Sequence, residues 1–403
     1  MAMACARRWG SFVGLFVGLV WAATGSARAA APNYTFTKIA DTRGSLTALG
    51  LPSLNEGGVM AFWAAREDGS EGIFTGAGGE LTTIADTTGP LKDFGTSLAG
   101  YEVAPSINDK GTVAFWAARD DGSEAIFTGA GGELHLVVEQ TDVYTGFAPR
   151  VSLNNRGWVA VVATLATGGE EVFRQKGQRH IPIALAAPGS GFDSPLLNQH
   201  RMVVFSGASE LQDPQGLQTL NLSDGTLVGR GGLLRIITCR LLVGQPSPAE
   251  CTQVPYDFGP PVLNDQGQVA YWRFLDGGES LVVSEGTTKV QIAGTFPYEP
   301  GPFPTPYVFA SLSQWPAINT EATVAFTAQV ERFPPSAGDF HTALYTVAAG
   351  IFTSVIRTGD VLDGVEVSDL GQFREALNDG GQIAFWAQLA DGTAALYRAD
   401  PIP

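Results

Sequence analysis

What most constrains this chain is that it repeats itself. Residues 61–81 read AFWAAREDGSEGIFTGAGGEL and residues 114–134 read AFWAARDDGSEAIFTGAGGEL, with 19 of 21 positions identical at an offset of 53. The leading edge of that block, Asn-x-x-Gly-x-x-Ala-Phe, returns with drift at Asn55, Asn108, Asn154, Asn198, Asn264, Asn319 and Asn378. Successive asparagines are 53, 46, 44, 66, 55 and 59 residues apart, periods that suit the four-stranded blades of a propeller and exceed most helical repeats. Seven such modules occupy residues 30–403 and leave no room for a further domain.

Inside each module the pattern is that of strands. Glycine accounts for 50 of 403 residues, and each would cost a helix interior roughly 1 kcal/mol, so an all-β chain is expected. An asparagine side chain can bond the backbone two residues on, and a glycine three residues later takes positive φ cheaply, which makes the motif a tight strand-to-strand turn. The run after it, such as Val113, Ala114, Phe115 and Trp116, is apolar at every position rather than at alternate ones, as for a strand buried on both faces. A blade packed between two neighbours requires that.

In the second module strands are expected at 101–107, 112–118, 124–128 and 133–138. They are joined by the asparagine turn, by an Asp-Gly hairpin at Asp121 and Gly122 with the aspartate at positive φ, and by a Gly-Gly hairpin. The last module runs only through its third strand, while YTFTKIAD at 34–41 aligns with LTTIAD at 81–86. The N-terminal strand is therefore expected to complete the seventh blade and close the ring, which removes exposed sheet edges. Arg201 and Ala322 stand at the glycine position of the fourth and sixth turns, so those turns must differ in shape or carry strain of roughly 1 kcal/mol.

Residues 1–29 read as an address. Arg7 and Arg8 precede an apolar stretch of about 15 residues and then Ala27-Arg28-Ala29, the plan of a signal peptide cleaved after Ala29; an uncleaved anchor is the alternative, although the stretch falls short of the roughly 20 residues that span a bilayer. Three of 24 basic residues and none of 40 acidic ones lie there, so cleavage takes the net charge from −16 to −19. Such a charge repels nucleic acid and anionic membranes. The expected location is the periplasm or the exterior, as a monomer with no membrane attachment after cleavage. Cys239 and Cys251 then remain in an oxidising compartment, where a local disulfide is expected. The four histidines lie far from both cysteines, and neither a metal nor any other cofactor is expected.

With the seven copies laid out, the repeats resemble those of bacterial exported proteins defined by tandem NxxGxxAF motifs with a choice of C-terminal anchor, over essentially the whole mature chain. They are also similar to the Pro-Asp-Gly-x-x-Ile-Ala-Phe repeats of TolB-type propellers, in which the strand before the turn lines the central channel. The resemblance implies fold and compartment and carries no activity with it. The ending RADPIP shows no sorting motif, apolar span or basic tail, so the anchor of those relatives is expected to be absent.

If the first strand of each module is innermost, the asparagine and Gly-Gly turns share one face, and the Asp-Gly hairpins and blade connectors share the other. Variable loops on a rigid scaffold usually carry binding, so the connector face is the expected site. The candidate patch is Phe296, Tyr298, Phe303, Tyr307 and Trp315, in a connector with five prolines; these rings either stack on a glycan, peptide or protein ligand or cover the core beside the blade. The carboxylates Asp360, Asp363, Glu366 and Asp369 lack the spacing of an EF-hand. No GxSxG, HExxH, CxxC or GxGxxG constellation is present, so no catalytic residue is nominated. The expected function is a non-catalytic exported binding or scaffold module. The alternatives are a carbohydrate-active lyase or glycosidase with its site at the channel mouth, and cell-envelope partner binding as in TolB-type propellers.

Overall fold

The computed structural model describes residues 34–402 apart from 96–103, 217, 242–250, 253–256, 276, 296–306 and 333–339. The described residues are all β, with no helix, and form a seven-bladed propeller of small antiparallel sheets. Blade one contains Met60–Arg66, Glu71–Gly76 and Thr82–Asp86 as its second, third and outer strands. In blade two the corresponding strands are Val113–Arg119, Glu124–Gly129 and His135–Glu139. As the apolar run requires, Val113 to Ala117 are all buried, because both faces of the blade meet a neighbour.

The inner strand differs from expectation. Instead of one strand over 101–107, blade two has Leu91–Asp93 and Ser106–Ile107, which pair with opposite ends of Val113–Arg119. Blades one, three, five and six are split in the same way. Proline accompanies the split in four of these five blades: Pro52, Pro105, Pro261 and Pro316 each stand three residues before the motif asparagine, and a residue without an N–H cannot donate to the ladder. Blade three is split with Val151 at that place, and in blade four Pro195 lies within the unbroken strand Gly191–Leu197.

The ring closes through the chain's two ends. Tyr34–Asp41 runs antiparallel to Ala394–Pro401, from Tyr34 opposite Pro401 to Asp41 opposite Ala395. Blades three and four are further joined into one ten-stranded sheet, where Leu185 and Ala186 pair with Gln212 and Leu211.

The turns match expectation in one respect and correct it in another. Arg201 and Ala322 do not reshape their turns: their φ angles are 62° and 60°, and each N–H donates to the motif asparagine's carbonyl at 3.1 Å, as Gly58 does in blade one. In the Asp-Gly hairpins only the glycines, Gly69, Gly122 and Gly392, have positive φ. Asp68 and Asp121 instead accept the backbone N–H of the residue two on, at 2.9 Å. The aspartate closes the turn with its side chain, so its own backbone need not enter the left-handed region.

Candidate functional site

The seven asparagines do more than shape turns. Each Oδ1 accepts backbone N–H groups of its own turn, as Asn154 does from Arg156 and Trp158. Each Nδ2 donates to the carbonyl of the next blade's asparagine, and the series runs from Asn55 to Asn108, Asn154, Asn198, Asn264, Asn319 and Asn378 and back to Asn55, at 2.8–3.4 Å. This is a closed belt around the propeller axis, and it establishes that the strand before each turn is innermost.

A second ring lies just outside it. The residue after each asparagine accepts the equivalent backbone N–H of the preceding blade, at six of the seven steps. The remaining step would run from Asp265 to Thr320, whose side chain is too short to copy the bond. Glu56, Asp109, Asp265 and Asp379 put four carboxylates in this ring. Burial, and then the nearby charges of Asp379 and Asp109, push the Glu56 carboxyl up.

Belt and ring surround the mouth of an axial cavity of ≈ 220 Å³. Below the belt its wall is aliphatic, since the residue before every asparagine is Leu or Ile, from Leu54 to Leu377. Its floor is built by the seventh inner strand, which breaks the repeat. Where five of the other six copies have proline, this one has Glu375, in the run Gln372-Phe373-Arg374-Glu375, and a turn closed by Ala376 N–H on the Phe373 carbonyl places Arg374 and Glu375 at the cavity. Sequence reasoning missed these two residues, although a charged pair where five copies have proline and one has Val151 was the signal.

Glu375 Oε1 accepts the hydroxyls of Ser106 and Ser152 at 3.1 and 3.0 Å. Burial raises its pKa. Arg374 is buried and donates through Nη2 to the Val151 carbonyl at 3.4 Å, while its Nε and Nη1 have no partner. Burial brings its pKa down to about 10. The two neighbours form no ion pair with each other. A second cavity, ≈ 370 Å³, lies between blades six and seven beside Tyr34, Thr346 and Thr353, and shares Asn319, Leu377 and Asp379 with the first.

Of the aromatic candidates, Phe296, Tyr298 and Phe303 lie outside the described residues, and Tyr307 opens the strand Tyr307–Leu312. Trp315 is half-buried, its ring between the Arg150 guanidinium at 4.6 Å and the Phe373 ring at 5.0 Å. Cys239 is buried and sits directly opposite Cys251 in a parallel pairing. Asp363 is engaged by Lys38 and by the Tyr397 hydroxyl, each at 3.0 Å. Among the described residues no group of His, Cys, Asp and Glu is placed to hold a metal.

The solved structures that resemble this chain do so distantly, each with a TM-score below 0.5. The chain is similar to the polysaccharide lyase Uly1, with 8% identity, a TM-score of 0.47 and coverage of 86% of this chain and 88% of that one. It is also similar to a puromycin-hydrolysing peptidase of Mycobacterium tuberculosis, with 14% identity, a TM-score of 0.41 and coverage of 86% of this chain but only 58% of the peptidase. The lectin SapL1, solved with α-methyl fucoside, matches at 10% identity and a TM-score of 0.40, over 77% of this chain and 96% of the lectin. A search of curated proteins found no match. A family model matches residues 19–397, and the chain therefore belongs to the family of unknown function DUF7453.

Proposed function

We propose that this is an exported binding propeller, released by removal of residues 1–29, whose ligand enters the axial cavity from the asparagine-turn face. The observation that carries the reading is the seventh inner strand: it abandons the repeat to place two charged side chains at the floor of a cavity that six aliphatic-walled copies would otherwise leave apolar. A ring closed by strand pairing and by a hydrogen-bonded belt holds that cavity rigid, so little entropy is lost on binding. The groove toward Tyr34 extends the surface for a larger ligand.

A glycan and peptide array probed with the mature chain tests this. Thr320→Tyr would obstruct the mouth while removing no belt bond. Array ligands are expected to lose binding to that variant. Ligands that bind it as well as the wild type would place the site elsewhere, with the aromatic connector as the first candidate. One observation favours a second reading, a glycan-cleaving enzyme: Glu375 is a carboxyl raised by burial at an accessible floor, the condition a general acid needs. Turnover of an array ligand that Glu375→Gln abolishes while binding persists would support it.

A further inference from the structure

Arg374 and Glu375 stand side by side at the floor of one cavity, carry opposite charges, and do not pair. The Arg374 Nε and Nη1 groups have no hydrogen-bond partner, the guanidinium meeting only the Phe373 ring at 5.7 Å on that side, and the residue is only 3% exposed. Charged groups left unpaired in a protein interior are costly. A simple anion would satisfy Arg374 and leave Glu375 with only the Ser106 and Ser152 hydroxyls and no counter-charge; a simple cation would meet Glu375 and leave Arg374 unmet. Only a ligand that carries both charges close together answers both.

The rest of the wall extends the description. Beyond the floor it is aliphatic, from Leu54 to Leu377, and the asparagine side chains above are already committed to the belt. At the mouth stand Glu56, Asp109, Asp265 and Asp379, with no basic side chain in the lining except Arg374. The far end of a fitting ligand is therefore cationic, and its middle is a short apolar stem. A volume of ≈ 220 Å³ is below the usual range for drug-sized ligands, and a chain of net charge −16 favours approach of a cation through that mouth.

Resting on the axial-site reading above, we infer that the cavity takes a free α-amino acid with a basic side chain. Its carboxylate meets Arg374, its α-ammonium meets Glu375, and its side chain runs along the aliphatic wall to the mouth carboxylates. Calorimetric titration of the mature chain with L-lysine and L-arginine tests this against Nα-acetyl-L-lysine and L-lysine amide, which each lack one of the two floor charges. At least one free amino acid is expected to bind, with both blocked forms weaker by about tenfold or more. Arg374→Met and Glu375→Gln should each reproduce the loss, and the blocked-ligand series gives the answer even if either variant fails to fold.

Equal affinity for free and blocked forms would reduce the site to an ionic trap at the mouth and overturn the inference. Absence of binding up to about 10 mM, beyond the millimolar range of weak specific binding, would overturn it as well. If array ligands sensitive to Thr320→Tyr exist while the amino acids do not bind, the axial site stands and this ligand class falls. If neither exists, both readings fall.

Discussion

At the scale of single residues, the backbone of the sixth turn holds a stability gain in reserve. Ala322 occupies the left-handed region at φ 60° in a turn built for glycine, a conformation that costs a residue with a Cβ about 1 kcal/mol or somewhat more. Ala322→Gly is expected to raise stability by about 0.5 kcal/mol, because the greater freedom of glycine in the unfolded chain offsets part of the relief; a fall in the urea midpoint would contradict this. Asp224 is the residue to watch for pH. It accepts the N–H of Gly225 and of Phe258 in the next blade, and burial raises its pKa to about 6.

The folded protein therefore retains a proton on Asp224 that the unfolded chain has released, between about pH 4 and about 6. The stability this group contributes is present at the acid end and is lost as pH rises through that window. Asp224→Asn keeps an acceptor for Phe258 and is expected to flatten the wild-type decline in urea midpoint between those values. Asp391 works in the opposite sense. The backbone and hydroxyl of Thr393, with Arg43, hold it down to about 2, so its contribution is lost only as pH falls toward that value.

At the scale of elements, two repeated devices join blade to blade. One is the asparagine belt. Asn154→Ala would leave the Arg156 and Trp158 N–H groups without their acceptor and take from the Asn198 carbonyl one of its two donors, the other being the Arg201 N–H, and a buried orphan costs about 1–3 kcal/mol before any relaxation. A loss of about 2–4 kcal/mol in urea unfolding is expected for Asn154→Ala; Asn154→Asp keeps the acceptor and should lose less. The other device is a carboxylate at the head of the third strand in blades one, two, three and five, Glu71, Glu124, Glu170 and Glu279. Glu71 receives the N–H of Phe94, Glu124 that of Phe147 and Glu170 that of Phe192. In blades one, two and five the same carboxylate also takes the indole N–H of the second strand's tryptophan.

At the scale of the whole molecule, closure decides stability. Deleting residues 30–41 would strip the seventh blade of its outer strand and expose the edge of Ala394–Pro401. A loss of several kcal/mol and a concentration-dependent tendency to self-associate are expected, read by thermal melting and light scattering; an unchanged melting temperature would contradict the closure. The loop after blade four is held at its base by the parallel pairing of Cys239 with Cys251. Thiol titration of residues 30–403, oxidatively folded and then denatured, should find no free cysteine, and Cys251→Ser should lower stability by about 3 kcal/mol. Two free thiols per chain would refute the bridge.

The sequence by itself determined the blade number, the strand order within a blade and the ring closure. Each of these follows from local chemistry copied seven times: Asn-x-x-Gly must turn, a continuously apolar run must be covered on both faces, and a three-stranded last module must borrow a fourth strand. Tertiary structure alone decided what lies on the axis. The Asn55 amide reads in sequence as a turn former, because its bond to the Asn108 carbonyl spans 53 residues and no local rule reports it. Likewise the meeting of Arg374, Glu375, Ser106 and Ser152 depends on distances between blades. The cavity thus belongs to the ring, built from one residue or two of each module, and a linear pattern that describes one module cannot show what seven of them surround.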